Sequence, residues 1–92
     1  MNTPKIGRFR LPPHVHTRRF ESEAIVLDLG GGKYYSLDEV GAIVWEGLAA
    51  GKSATDVAAT LVSEYEVDAS TARDDVERLA GELVAAGLLE RQ

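Results

Sequence analysis

Apolar and polar positions alternate over Ala24 to Leu29, with Ile25, Leu27 and Leu29 on one face and Val26 on the other. This is the two-residue period of a β-strand. Three consecutive glycines, Gly30 to Gly32, can supply the positive φ angles of a tight reversal into a short strand over Lys33 to Ser36. Upstream, residues 14 to 19 read as a strand that joins the central one through a turn at Glu21, Ser22 and Glu23. The pattern predicts a three-stranded antiparallel meander, preceded by a lead-in over residues 1 to 8 that is expected to be loose.

The period then lengthens. Ser36 followed three residues later by Glu39 fits a capping box, in which each side chain satisfies an orphan backbone N–H at a helix start. Val40, Ile43, Val44 and Leu48 recur on one helical face, Trp45 widens that face as a core residue, and Gly51 ends the helix. Ser53 opens a second helix with Asp56 in its first turn and Val57, Ala58, Leu61, Val62 and Tyr65 on its apolar side. Between these helices only Gly51 to Ser53 remain, which forces a sharply turned pair. Glu66 to Ala69 form a polar break, and Ser70 is the expected cap of a third helix that buries Val76, Leu79, Ala80 and Leu83 and runs to about Ala86. Gly87 is its natural stop, with Leu88 folding back on Leu83 in a Schellman arrangement and Leu89 anchoring the tail. A small sheet followed by three helices makes a winged helix-turn-helix-like α+β domain spanning residues 1–92.

Composition narrows the function classes. With 92 residues, 45% of them hydrophobic and 27% charged, the chain suits one ordinary globular domain with a small core. Cysteine is absent, which removes disulfides, thiolate metal sites and cysteine nucleophiles together. MNTPKIGRFRLPP lacks the apolar stretch of a signal peptide, and no run of about 18 apolar residues occurs. A cytoplasmic protein without a membrane partner is expected. Charge is asymmetric: residues 1 to 20 hold Lys5, Arg8, Arg10, Arg18 and Arg19 with no acid, whereas residues 21 to 92 hold 15 acids against five bases, a balance of −10. An acidic body repels phosphate backbones. The third helix, with Asp74, Asp75, Glu77 and Glu82 against Arg73 and Arg78, is ill suited to enter a DNA groove, so nucleic acid is not the expected partner.

Catalytic chemistry finds little support. His14 and His16 share one side of a strand, but no cysteine or nearby carboxylate completes a metal site. The GGGK stretch lacks the GxxxxGK[ST] spacing of a phosphate loop, and its lysine leads into a strand instead of a helix. The serines serve as caps without a partner base. A noncatalytic protein with no cofactor and no metal is expected.

The ordered set LPPHVHTRRF, AIVLDLGGGKYYSLDEVGAIVWEGL and the terminal AAGLLE resembles the PqqD-like proteins, small peptide-binding domains also called RiPP recognition elements, over roughly residues 10 to 90. Within that family the LPPHV opening, the LDL before the glycine turn and YYSLDEVGAIVWE look most like the standalone domains of lasso-peptide biosynthesis. The resemblance implies a scaffold that binds the N-terminal leader of a ribosomally made precursor and presents it to a separate leader-removing cysteine protease. It further implies that the leader, carrying a Tyr-x-x-Pro motif, adds as a strand beside the third strand and is closed in by the third helix. The alternatives are a peptide chaperone for a radical SAM enzyme and, from the fold, a winged-helix DNA-binding protein.

Mapped onto this chain, the resemblance places the peptide site on Lys33, Tyr34, Tyr35 and Ser36 and on a flank of the third helix. An exposed strand edge offers unpaired N–H and C=O groups to any peptide in β conformation, while pockets under alternate positions provide selectivity. At 100° per residue, Arg73, Glu77, Ala80 and Val84 fall along one flank of the apolar stripe, and Val84 is apolar beyond what the core needs. Gly81 lies beside that row. It costs about 1 kcal/mol relative to alanine in a helix interior, so either close approach of another backbone or ordinary tolerance accounts for it. Only one of Tyr34 and Tyr35 can point into the core. The other is a surface aromatic or a wall of the leader pocket.

Overall fold

The structure, a computed structural model, describes residues 8–92. Two small sheets and three helices follow in the order β1 (Phe9–Arg10), β2 (Val15–Arg19), β3 (Ala24–Asp28), β4 (Lys33–Leu37), α1 (Glu39–Ala49), α2 (Ala54–Glu64), α3 (Ala69–Ala85) and β5 (Glu90–Arg91). The three-stranded antiparallel meander is present as β2-β3-β4, with Val26 opposite both Thr17 and Tyr35. The α+β winged helix-turn-helix-like architecture expected from the sequence is therefore the observed one.

A second ribbon was not legible in advance. Phe9 pairs with Arg91 and Arg10 with Glu90, closing the two ends of the described chain on each other. Arg10 Nη2 reaches Glu90 Oε1 at 2.6 Å, and the Arg91 guanidinium lies 5.2 Å from the centre of the Phe9 ring. Two-residue strands carry no usable periodicity, so only burial of Phe9 and Leu89 hints at them. The expectation of a loose lead-in falls on residues 1–7, outside the described ones, except for Arg8. That residue is tied down: its guanidinium donates to Gly51 O at 2.8 Å, and its carbonyl accepts from Gln92 N at 3.2 Å.

Helix starts correct two expectations. Asp38, not Ser36, caps α1, its Oδ1 accepting from Gly41 N at 2.8 Å, so Ser36 stays within β4. Asp68, not Ser70, caps α3, accepting from Thr71 N at 2.7 Å. An aspartate satisfies the same orphan donors as serine and adds a negative charge at the positive end of the helix dipole. That backbone hydrogen bond from Thr71 holds the Asp68 carboxyl below the usual carboxylate range. Ser53 caps α2 through Asp56 N as expected. At the far end of α3, Gly87 takes φ 78°, donates to Val84 O at 3.0 Å, and is followed by Leu88 N donating to Leu83 O at 2.9 Å. This pair of bonds is the Schellman stop read from the sequence.

The core lies between the inner face of the meander and the three helices. Val15 and Val26 meet Val44, Trp45 and Leu48 of α1, Val57 and Leu61 of α2, and Val76 and Leu83 of α3. Trp45 is 1% exposed, and its Nε1 donates to Thr17 Oγ1 at 2.8 Å, which satisfies the one polar atom of a ring otherwise surrounded by carbon. The aliphatic alternation of β3 faces the other way. Ala24 and Val26 are fully buried, while Ile25 and Leu27 are half-buried on the outer face and Leu29 is exposed. Among the described residues no helix is long and apolar enough to cross a membrane.

Candidate functional site

The backbone of β4 determines what its edge can offer. Leu29 N donates to His14 O and Phe20 N donates to Glu23 O, which fixes the phase of the β2–β3 ladder. With that phase, Ile25 and Leu27 turn their backbone groups toward β2, and Ala24, Val26 and Asp28 turn theirs toward β4. The β4 partners of these last three, Leu37, Tyr35 and Lys33, are consumed by the ladder. Tyr34 and Ser36 are left with N–H and C=O groups aimed outward from a strand that no other strand covers among the described residues. Their side chains point to the outer face, and Tyr34 is 70% exposed. Tyr35 is the inward tyrosine: it is half-buried and packs against the core from the helix side.

Immediately beyond that edge the sheet, the start of α1 and one flank of α3 enclose a hollow of about 290 Å³. Leu37, Val40, Val44, Leu61 and Leu79 make its apolar floor and walls, and Ser36, Asp38, Asp75 and Arg78 its polar rim. A second hollow of about 200 Å³ adjoins it, sharing Val40, Leu61 and Asp75 and adding Tyr65, Val67 and Ala72. Arg78 is held in place by carboxylates on both sides, 3.6 Å from Asp75 and 3.6 Å from Glu82. Tyr65 closes the far end. Its hydroxyl donates to Glu39 Oε1 at 2.9 Å, and this bond raises the phenol pKa above its ordinary value. The whole forms an apolar trough beside an unpaired strand edge, suited to hold an extended peptide with one side chain in each hollow.

The residues singled out from the sequence divide between this trough and other places. Ser36 lines it, and Tyr34 shares the same open strand edge; Tyr35 lies on the inner side of that strand, and Lys33 sits at the strand start opposite Asp28. The α3 set lies elsewhere. Ala80 is buried in the core at 1% exposure, and Arg73 lines a separate hollow of about 340 Å³ between α2 and α3 together with Ala58, Val62, Ser70 and Asp74. Helical spacing puts Glu77, Gly81 and Val84 on the Arg73 flank, with Arg73 and Glu77 3.8 Å apart. Val84 is half-buried against the core, and a Cβ on Gly81 would meet nothing within 4 Å. The flank that faces β4 carries Asp75, Arg78 and Leu79 instead.

Two residues that the helical pattern places on buried stripes, Val40 and Leu79, line the groove instead. Val40 was placed on the buried stripe of α1, yet it is 41% exposed and lines both hollows. The signal lay in Gly41 and Ala42, which are buried and rotate the true stripe away from Val40. On α3, Ala72 shares the buried stripe with Val76, Ala80 and Leu83, which shifts its centre and leaves Leu79 half-buried on the groove side. A small residue hides such a shift because it fits either a core or a surface. The histidines also need one correction: Asp28 does lie near His14, at 3.8 Å. Still, no cluster of three or more His, Cys, Asp and Glu that could hold a metal occurs among the described residues.

Comparison with known proteins identifies the fold and the family. Two solved structures superpose on nearly the whole chain. One, described as TbiB1 in complex with the TbiA(beta) leader peptide, is 30% identical, with a TM-score of 0.83, covering 88% of this chain and 94% of that one. The other, a lasso peptide synthetase B1 complexed with the leader peptide, is 33% identical, with a TM-score of 0.81, covering 89% of this chain and 96% of that one. No curated protein is significantly similar in sequence. The family model for coenzyme PQQ synthesis protein D (PqqD) matches residues 23–89, which run from the start of β3 to the buried Leu89. The chain therefore belongs to the PqqD family.

Proposed function

We propose that this domain binds the leader segment of a ribosomally synthesised lasso-peptide precursor, without catalysing any reaction itself, and delivers it to a separate leader-removing cysteine protease in the cytoplasm. The observation that carries this reading is the juxtaposition of the free backbone groups of Tyr34 and Ser36 with the apolar trough between β4 and α3. A leader strand gains backbone hydrogen bonds at the edge, and its inward side chains enter the hollows. Two adjoining hollows match the two rings of a Tyr-x-x-Pro motif. Both similar structures are described as complexes with leader peptides, which favours the lasso role over service to a radical SAM enzyme.

A nucleic-acid role has less support. Both arginines of α3 are engaged by carboxylates of the same helix: Arg73 by Glu77 at 3.8 Å, and Arg78 by Asp75 and Glu82, each at 3.6 Å. Phosphate contacts would have to displace them. The direct experiment is a titration of fluorescently labelled leader peptide into the purified domain. Saturable binding that a Tyr→Ala, Pro→Ala leader loses is expected. Absence of saturable binding, or equal binding of the altered leader, would contradict the proposal.

A further inference from the structure

Asp75 lines both hollows of the trough, together with Val40 and Leu61, so its carboxylate stands at the partition between them. Its basic neighbour is Arg78, at 3.6 Å, and Arg78 lies at the same distance from Glu82 on its other side. One guanidinium is thus divided between two carboxylates. Both contacts are longer than a good hydrogen bond, and all three side chains are more than half exposed. Two further carboxylates belong to the same region. Asp38 on the rim accepts from Gly41 N, Glu39 accepts from the neutral hydroxyl of Tyr65, and neither forms an ion pair among the described residues.

We propose that Asp75 is a specificity-determining residue of the trough, selecting a leader that carries lysine or arginine between the two rings that fill the hollows. The inference rests on the leader-binding reading. Adjacent side chains of an extended segment point to opposite sides, so one of the two residues between the rings turns toward the partition whatever the register. A long basic side chain suits that place, its methylenes lying over Val40 and Leu61 while its charged head reaches Asp75. Arg78 then passes wholly to Glu82, and every charge keeps a partner. A leader carboxylate at the same point would be a third acid competing for one guanidinium, with Asp38 on the same rim. Exposure limits the size of the effect, because an ion pair open to water is worth a factor of about two to five in affinity.

The test titrates the full chain with three labelled synthetic leaders, identical except between Tyr and Pro, where both residues are lysine, glutamine or glutamate. At low salt, wild type is expected to bind the lysine leader about threefold more tightly than the glutamine leader and about tenfold more tightly than the glutamate leader. The spread should shrink as salt rises. Asp75→Asn is expected to level the lysine and glutamine leaders, and Asp75→Lys to reverse the order so that the glutamate leader binds best. A purely structural role for Asp75 would lower all three affinities together. Should Asp75→Lys fail to fold, Asp75→Asn, which keeps the shape and removes the charge, carries the comparison. Equal wild-type affinity for the three leaders, a wild-type preference for glutamate, or a lysine preference that persists in Asp75→Asn would overturn the proposal while leaving leader binding itself intact. If wild type bound none of the three, the functional reading would fail and this inference with it.

Discussion

Tyr65 donates a 2.9 Å hydrogen bond to Glu39 across the end of the groove, tying the C-terminal cap of α2 to the first turn of α1. The bond keeps the phenol protonated above its ordinary range. A group whose pKa is raised in the folded state contributes stability that is fully present below its unfolded value and is lost as pH rises through the folded value. Wild type is therefore expected to lose thermal stability in the alkaline region above the ordinary tyrosine pKa. Tyr65→Phe should lose that dependence while keeping leader affinity within about threefold, because the ring that walls the second hollow remains; Tyr65→Ala should weaken the leader about tenfold or more. Thermal melts against pH and leader titrations check both.

The β4 ladder makes an unusual demand on proline. Ser36 N–H faces the open edge, so Ser36→Pro removes a donor that the fold does not use, and proline is tolerated on an edge strand in that setting. Tyr35 N–H is consumed by Val26, so Tyr35→Pro breaks the sheet. The expected outcome is a folded Ser36→Pro protein whose leader affinity drops about tenfold or more, the loss of a hydrogen bond plus a steric block. Tyr35→Pro is expected to be largely unfolded. Circular dichroism with leader titration distinguishes the two.

A charge on α3 should report which flank meets the peptide. Leu79→Asp places a carboxylate on the wall of the hollow beside β4 and is expected to weaken leader binding at least about tenfold. Glu77→Ala, on the Arg73 flank, is expected to change it less than about twofold. Equal effects, measured by anisotropy titration, would mean that the peptide runs between α2 and α3.

Core and groove separate at Trp45. Thr17→Val leaves the buried indole N–H unpaired and is expected to cost about 1 to 3 kcal/mol. Trp45→Ala adds a cavity and is expected to cost about 3 to 5 kcal/mol. Denaturant unfolding followed by circular dichroism measures both. Since neither side chain lines the groove, leader affinity in the folded Thr17→Val protein should match wild type.

The sequence showed the framework clearly where chemistry is local. The Ile25–Val26–Leu27 alternation, the Ser53 cap and the Gly87 stop each depend on neighbours within a few positions, and each appears where the pattern puts it. The same held for Trp45, too large and apolar to leave exposed. What local pattern could not reveal was orientation between elements. Ser36–Glu39 and Asp38–Gly41 are both sound caps, and the choice depends on how far β4 continues its ladder with β3, a long-range matter. Both flanks of α3 carry mixed charge, so nothing in Arg73 or Glu77 compared with Asp75 or Arg78 tells which one turns toward β4. That β3 would bury Ala24 and Val26 and expose its larger aliphatics follows only from the side on which the helices pack.

Residue-resolved amide hydrogen exchange, with and without saturating leader peptide, tests the central claim most directly. Tyr34 and Ser36 amides, open at the edge of β4, are expected to exchange fast in the free domain and to slow by about tenfold or more with leader bound, while the already paired Tyr35 changes much less. Unchanged exchange at Tyr34 and Ser36 under saturation, with protection gathered instead around Arg73 between α2 and α3, would contradict it.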